Sequence, residues 1–172
     1  MKISELLRPD VMVLDLQATT KQAAFEEMID RLYAAGCISD RAAFMQGILA
    51  REAQTTTGLG DGIAMPHAKN SAVKVPTVAF ARSTQGVAYD AMDGQPVHLL
   101  FMIAVPSDAN NTHLEALASL SRYLLQDGFM AKLQAAATPD DVVKLFTTQE
   151  TVHGHVTVDD DAPFLVAVTA CT

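Results

Sequence analysis

Runs of apolar residues alternate along the chain with segments that have a helical repeat of apolar positions. The longest run, V-H-L-L-F-M-I-A-V over residues 97–105, is almost continuously apolar, which is typical of a strand covered on both faces. Two shorter runs, residues 75–81 and 11–16, also favour strands. The pattern therefore predicts an α/β fold in which helices cover both faces of a sheet.

Two amphipathic helices are predicted in the first third of the chain. Thr19 or Thr20 can cap the first helix, and Gly36 can stop it. Its apolar positions follow the helical spacing: Phe25, Met28, Ile29, Leu32 and Tyr33. Ser39 or Asp40 can cap the second helix, which should end near residues 51–52. Its apolar positions are Phe44, Ile48 and Leu49.

Two further helices are predicted after the apolar run at 97–105. Thr112, with Glu115 three residues later, has the capping-box pattern of a helix start. The positions expected to point inward are Leu114, Leu117, Ala118, Leu124 and Leu125. Thr138 and Pro139 open a last helix that we expect to end at Phe146, with proline at its first position.

The charge balance limits the partners of the protein. The 172 residues include 12 Lys and Arg against 20 Asp and Glu, a formal net charge of −8. This excess argues against nucleic acid or an anionic membrane as the main partner. No apolar run approaches the roughly 18 residues of a membrane span, and the N-terminus lacks the apolar segment of a signal peptide. We therefore expect a cytoplasmic protein.

The last part of the chain differs in composition from the rest. Residues 147–162 are polar and acidic and favour a linker, and residues 164–171 are apolar again, as in one further strand. We therefore expect a domain at residues 1–147, followed at 148–172 by a linker and the start of another domain cut short. We also expect residues 164–168 to pack on an apolar surface or a sheet edge, because a lone strand needs partners for its backbone.

The densest chemical signal is T-T-T-G-L-G-D-G-I-A-M-P-H-A-K at residues 55–69. Its three glycines allow positive φ angles and close approach of a ligand, although a mobile surface loop has the same composition. The stretch lacks the Gly-Lys-Ser/Thr of a Walker loop and the third glycine of a dinucleotide fingerprint. Pro66 holds His67 on a rigid backbone beside amides that can face an anion. His67 is thus either a phosphate acceptor or an ordinary histidine.

The remaining histidines and the cysteines carry weaker signals. His113 lies near a helix start, where its pKa should be lowered and where an anion could bind. Alternatively, it is an exposed histidine without such a role. His98 is expected to be a hydrogen-bonded core histidine, and the pair at 153 and 155 is a weak metal-binding pattern. Cys37 is expected to be a packed side chain. Cys37 and Cys171 alone cannot make a disulfide framework or a zinc site.

The motif around His67, together with P-T-V-A-F-A-R and N-T-H-L-E-A-L-A-S-L-S, resembles the enzyme IIA domain of the bacterial phosphotransferase system, in its fructose–mannitol branch. The resemblance covers roughly residues 3–146. It implies a central mixed β-sheet flanked by helices on both faces. It also implies that His67 is phosphorylated by the phosphocarrier protein HPr, with His113 and Arg51 beside it. The positions matching the phosphate-binding loop are Thr57, Gly58, Gly60, Asp61 and Gly62.

The end of the chain carries a second resemblance. F-L-V-A-V-T-A-C at residues 164–171 is similar to the first strand of a fructose-type IIB domain, whose phosphorylated cysteine ends that strand. Cys171 would be that cysteine, although Thr172 stands where the family usually has proline. We expect Cys171 to accept no phosphate in this fragment, because the loop that would hold the phosphate follows it.

Three functions remain open from the sequence. The first is a phosphoryl carrier that takes phosphate from HPr on His67 and passes it to a IIB domain of the same parent chain. It would drive uptake of a sugar, with fructose suggested by the resemblance, through a membrane IIC component, without metal or cofactor. The second is a regulatory domain that binds proteins according to its phosphate state. The third is a metal hydrolase that uses His67, His113 and Asp61.

Overall fold

A computed structural model describes residues 2–156, with only the helical path given for residues 149–156. It has three layers, with a five-stranded sheet between two groups of helices. The helices are α1 (Ile3–Leu6), α2 (Lys21–Ala34), α3 (Arg41–Gln54), α4 (Thr112–Leu124), α5 (Phe129–Ala135) and α6 (Pro139–Val156). The strands are β1 (Gly58–Gly60), β2 (Ile63–Ala64), β3 (His67–Lys69), β4 (Thr77–Val87) and β5 (Val97–Val105). This architecture confirms the predicted α/β class.

The fold is organised around β5, which occupies the predicted span and lies in the centre of the sheet. On one edge β5 pairs with β4 in antiparallel orientation. On its other edge it pairs in parallel with two short strands in succession, first β2 and then β3. The antiparallel pairing of β1 with β2 adds the outermost strand. The sheet is therefore mixed, as predicted.

Alternate residues of β5 belong to two separate cores, which explains why the strand is apolar throughout. One face carries Leu100, Met102 and Ala104 into a core with α2 and α3. The opposite face carries Leu99, Phe101, Ile103 and Val105 into a core with α1, α4, α5 and α6. The prediction that helices cover both faces of the sheet is thus confirmed.

The first two large helices begin where the sequence predicts them. The Thr20 side chain accepts a hydrogen bond from the amide of Ala23, and Asp40 does the same for Ala43. Gly36, with φ of 79°, follows the end of α2 and reverses the chain. Local capping chemistry therefore decides these boundaries.

Helix α4 differs from its prediction. Its N-cap is Asn111, which makes no side-chain capping bond, so the predicted capping box at Thr112 is wrong. Leu124 is buried as predicted, and Leu117 is partly buried against the core. Leu114 and Leu125 are 52% and 83% exposed and Ala118 is exposed too, whereas the buried positions include Ala116, Ser119 and Leu120. Among residues 2–156 no helix is both long and apolar enough to cross a membrane.

Two other segments also differ from prediction. Residues 11–16 form an extended segment joined to β4 by a single bridge at Val13, preceded by a 3₁₀ turn at Pro9–Val11, and not a regular strand. Helix α6 continues past Phe146 to Val156, so the first part of the predicted linker is helical. The expectations for residues 164–168 and for Cys171 lie outside the described residues.

Phe146 should be a main anchor of α6. Its ring lies 5.0 Å from that of Phe129, 5.1 Å from Tyr123 and 6.2 Å from Phe101, between centroids, and it is fully buried. We expect Phe146→Ala to lower the free energy of unfolding by about 3–5 kcal/mol, through lost burial and the cavity left behind. Urea unfolding would measure the change. Leu125→Ala, on an 83% exposed side chain, is the control and should change it by less than about 0.5 kcal/mol.

Candidate functional site

His67 is the first residue of β3, directly after the buried Met65 and Pro66, where the edge of the sheet passes from β2 to β3. The Pro66 carbonyl accepts a hydrogen bond from the amide of Ile103 on β5, which ties this junction to the sheet. The His67 side chain is half-buried. Its Nδ1 lies 3.0 Å from the Met65 carbonyl oxygen. A carbonyl only accepts, so Nδ1 must donate its hydrogen, which leaves the lone pair on Nε2.

A second histidine lies beside His67. His113, the second residue of α4, has its ring centroid 6.3 Å from that of His67. Lys69, two residues further along β3, donates a hydrogen bond to the carbonyl of Asn110 at 2.9 Å and so ties β3 to the segment before α4. The buried Nδ1 of His113 has no hydrogen-bond partner among residues 2–156. Nδ1 of His113 is therefore a buried polar atom that no described residue satisfies.

Arg51 supplies the positive charge of the site from the opposite layer. It lies in the last turn of α3, and its guanidinium donates to the carbonyl of Thr55 at 2.8 Å, where the chain leaves the helix. Its charge contributes to the pKa of His67, which places the guanidinium within electrostatic reach of the ring. Thus α3 and α4 lie on opposite faces of the sheet; α4 places His113 beside His67, and α3 carries Arg51, whose charge acts on the pKa of His67.

The electrostatic environment favours a neutral His67. Burial is the largest effect, and it lowers the pKa of the His67 imidazole. The positive charges of Arg51 and His113 also lower this pKa, whereas the hydrogen bond to Met65 and the charge of Glu52 raise it. The net direction is downward. The pKa of His113 is also lowered, first by burial and then by the charge of Lys69. Both rings are therefore predominantly neutral at pH 7, and a neutral imidazole is the nucleophilic form.

Sequence reasoning missed Glu52, the residue after Arg51. Its carboxylate accepts hydrogen bonds from the amide and the hydroxyl of Thr57 and forms an ion pair with Lys21 at 3.0 Å. Burial raises the pKa of Glu52, but the bonds from Thr57 and Lys21 outweigh it and lower the pKa overall, so the carboxylate is ionised. The Arg-Glu pair in the sequence was a signal, yet nothing in the pattern distinguished Glu52 from an exposed helical glutamate.

The glycine-rich stretch is a β-hairpin and does not surround His67. Ile63 and His67 pair with β5 residues four positions apart, about 13 Å along the strand. The hairpin tip, formed by Gly60, Asp61 and Gly62 with φ angles of 104°, 57° and 80°, lies further still in the same direction. The structure therefore sets these three residues apart from His67 along the sheet, and a contact between them and a phosphoryl group on His67 stays a prediction from the resemblance.

Residues 57 and 58 lie nearer to His67, but their polar groups are already bonded. The amide and hydroxyl of Thr57 both donate to Glu52, and the residue is 3% exposed. The amide of Gly58 donates to the Thr56 hydroxyl, and a Cβ at Gly58 would lie 2.7 Å from that of Ala91. These polar groups are thus engaged within the protein, and the expected phosphate contacts of Thr57 and Gly58 stay a prediction.

The other candidate residues have different surroundings. Nδ1 of His98 lies 2.8 Å from the Ser83 carbonyl oxygen, which confirms the predicted hydrogen bond. His98 is only partly buried, so the prediction that it is a core residue is wrong. Cys37 is fully buried, as predicted. Asp61 at the hairpin tip is remote from His67 and His113, so these three do not form the ligand set that a metal hydrolase requires. The side chains at positions 153 and 155 lie outside the described part of the chain.

Comparison with known proteins relates this geometry to one family. Residues 5–149 match the family model for the phosphoenolpyruvate-dependent sugar phosphotransferase system, EIIA 2. The chain is 43% identical over 150 residues to the PTS system fructose-specific EIIABC component of Bacillus subtilis. That alignment covers 87% of this chain and 24% of the relative, so the chain spans about a quarter of its length. It is also 43% identical over 140 residues to the fructose-specific EIIA component of Haloferax volcanii, covering 81% and 91% of the two chains.

Solved structures share the fold. The nitrogen regulatory protein IIA-Ntr from Neisseria meningitidis superposes with a TM-score of 0.76 at 34% identity, covering 84% of this chain and 98% of that one. The mannitol IIA of Escherichia coli superposes with a TM-score of 0.68 at 26% identity, covering 80% and 96%. Because the family model matches residues 5–149, most of this chain, the chain belongs to the EIIA 2 family of the phosphoenolpyruvate-dependent sugar phosphotransferase system.

Proposed function

We propose that this chain is a phosphoryl carrier that accepts phosphate from HPr on His67 and passes it to a cysteine of a IIB domain. The observation that carries the proposal is the hydrogen bond from Nδ1 of His67 to the Met65 carbonyl. It directs the free lone pair of Nε2 away from the backbone, on a ring that is neutral and only half-buried. Membership of the EIIA 2 family supports the same role.

The proposed transfer balances without a cofactor. Nε2 of His67 attacks the phosphorus, the bond from phosphorus to the histidine nitrogen of HPr breaks, and the HPr imidazole leaves with that electron pair. The proton on Nδ1 stays in place, so the phosphorylated ring of His67 carries a positive charge next to the Met65 carbonyl. In the second step a IIB thiolate attacks the same phosphorus, and His67 returns to the neutral form. Because the transferred group passes between two nucleophiles, the protein contributes position and charge.

Arg51 and His113 are proposed to contact the phosphoryl oxygens. The guanidinium donates to Thr55 through Nη1, and its remaining N–H groups can donate to two oxygens in a bidentate contact. The ring of His113, unpartnered at Nδ1 among the described residues, can turn to donate to a third. These charge-assisted contacts offset the negative charge that the phosphoryl group brings into a partly buried site.

The sugar and the partner domains are proposed from the relatives. Two curated relatives are named for fructose, which makes fructose the proposed sugar. One of them is an EIIABC component, which supports transfer to a IIB domain and, through it, to a membrane IIC component. We propose that residues 1–147 form the carrier domain in the cytoplasm. We further propose that residues 148–172 lead into a IIB-like domain containing Cys171.

A regulatory role is the second candidate. It is favoured by one observation, the TM-score of 0.76 with the nitrogen regulatory protein IIA-Ntr. Such a domain would be phosphorylated on His67 but would bind other proteins in place of passing the phosphate to a sugar-specific IIB domain. Transfer from phosphorylated His67 to a fructose-type IIB domain distinguishes the two roles, because only the carrier requires it.

Phosphorylation of His67 is the first test of the proposal. Incubation with phosphoenolpyruvate, the general phosphotransferase enzyme and HPr should add one phosphoryl group, which site mapping by mass spectrometry should locate on His67. His67→Ala should abolish uptake, since no other described histidine combines a free Nε2 with Arg51. Its circular dichroism and unfolding midpoint should match those of the parent. Full phosphorylation of His67→Ala would disprove the proposal.

Arg51 and His113 should affect transfer more than stability. Alanine at either position removes a proposed contact worth about 1.5–3 kcal/mol in the transition state, or roughly ten- to a hundredfold in rate. Rapid-quench measurement of phosphoryl transfer from HPr would give the rates. Arg41→Ala is the matched control, because Arg41 lies on the same helix in an exposed ion pair with Asp30. Parental transfer rates in both alanine variants would refute their role.

The rate of phosphoryl acceptance should depend on pH through His67. Only the neutral ring attacks, and the lowered pKa keeps it neutral to a lower pH than a free histidine. We therefore expect a constant rate from about pH 8 to about pH 6.5 and a decline only at lower pH. In Arg51→Ala the loss of a nearby positive charge raises the pKa of His67, so the decline should begin at higher pH. Arg41→Ala, assayed with the same HPr, should keep the parental profile.

A further inference from the structure

The most unusual group outside the proposed phosphoryl contacts is the carboxylate of Glu52. Its side chain is 7% exposed, and that of its ion-pair partner Lys21 is 24% exposed. An ionised carboxylate is costly to bury unless it is paired and hydrogen-bonded. Glu52 meets this condition through Lys21, which also lies 4.6 Å from the centre of the Tyr89 ring. The protein therefore maintains a buried negative charge close to His67.

Both oxygens of Glu52 bind the same residue. Oε2 accepts from the amide of Thr57 at 2.8 Å, and Oε1 accepts from its hydroxyl. The Tyr89 hydroxyl oxygen lies 2.7 Å from the side-chain oxygen Oγ1 of Thr57. With the Thr57 proton directed to Glu52, the Tyr89 hydroxyl donates either to Thr57 or, at 3.5 Å, to Oε1 of Glu52 itself. Burial raises the pKa of Tyr89, which keeps this donor protonated. Glu52 and Tyr89 together fix the position of Thr57.

Thr57 in turn connects to His67 through two backbone hydrogen bonds. The carbonyl of Thr57 accepts from the amide of Met65 at 3.0 Å. The carbonyl of the same Met65 accepts from Nδ1 of His67 at 3.0 Å. The orientation of the imidazole thus depends on Met65, and the position of Met65 depends on Thr57. A continuous chain of hydrogen bonds runs from Glu52 to the ring.

We propose that Glu52 is a positioning residue, which holds the Thr57–Met65 pairing so that the Met65 carbonyl keeps the proton of His67 on Nδ1 and leaves Nε2 free. The proposal rests on the proposed phosphoryl transfer at Nε2. Glu52 touches no reacting atom and acts only through Thr57 and Met65. Its charge has a second effect in the same direction, because the phosphorylated ring is cationic and a nearby carboxylate stabilises that charge.

The amide variant Glu52→Gln separates this role from simple packing. Glutamine has nearly the same shape but carries no charge. Its NH₂ group opposes the amide of Thr57, or it faces the Thr57 hydroxyl, which must then reverse and donate to Tyr89. We expect phosphoryl transfer from HPr to slow about tenfold or more, as for the loss of a hydrogen bond to a charged group. Glu26→Gln is the matched control, with the same chemical change on an exposed residue of α2.

The decisive measurement is the protonation of His67 in the unphosphorylated protein. Nitrogen-15 chemical shifts of the His67 ring should report the Nδ1–H tautomer in the parent and in Glu26→Gln. In Glu52→Gln they should report a larger share of the Nε2–H tautomer than in the parent. The pKa of His67 should fall in Glu52→Gln, because the carboxylate charge raises it in the parent. An unchanged tautomer and pKa in a folded Glu52→Gln would overturn the proposal.

A second pair of variants applies if Glu52→Gln does not fold. Thr57→Val removes only the hydroxyl, and we expect it to shift the His67 tautomer in the same direction, while Thr57→Ser restores the parental tautomer. If both variants keep the parental tautomer, the proposal is wrong. These measurements need no phosphate. Failure of the parent to accept phosphate from HPr would therefore refute the proposed function separately from the positioning role.

Discussion

The hydrogen bond between Nδ1 of His67 and the carbonyl of Met65 is the constraint on which the site depends. It spans only two residues, and it forms because the chain is extended and rigid at Pro66. An imidazole in water exchanges its proton between both nitrogens and rotates freely. Here the backbone selects one tautomer and one ring orientation. The chemistry of the protein then follows from where the lone pair of Nε2 points and from which charges surround it.

The sheet explains how groups from both helical layers come near His67. β5 is paired on one edge with two short parallel strands, and His67 lies where the first gives way to the second. A junction of this kind interrupts the edge, so a side chain there is accessible from both layers. Arg51 arrives from the layer of α2 and α3, and His113 from the layer of α4.

The sequence predicts the features that depend on local chemistry or on continuous patterns. The apolar run of β5, the caps Thr20 and Asp40 and the motif ending in His67 are of this kind, and the structure agrees with them. The position of the glycine hairpin is not predictable in this way, because spacing along the chain does not reveal the register in which a hairpin joins a sheet. Glu52 is missed for a related reason, since its importance comes from burial against Thr57 and Tyr89, contacts that spacing along the chain does not reveal either.

The electrostatics of the site must satisfy two opposing requirements. Acceptance of a phosphoryl group needs a neutral ring, which burial and the Arg51 charge favour by lowering the pKa of His67. The phosphorylated ring is cationic, and the same burial and the same guanidinium disfavour that cation. The Met65 carbonyl and Glu52 act in the opposite direction. In the proposed mechanism, a positive charge that favours the neutral ring and a negative charge that favours the cation suit a site that must both take up phosphate and release it.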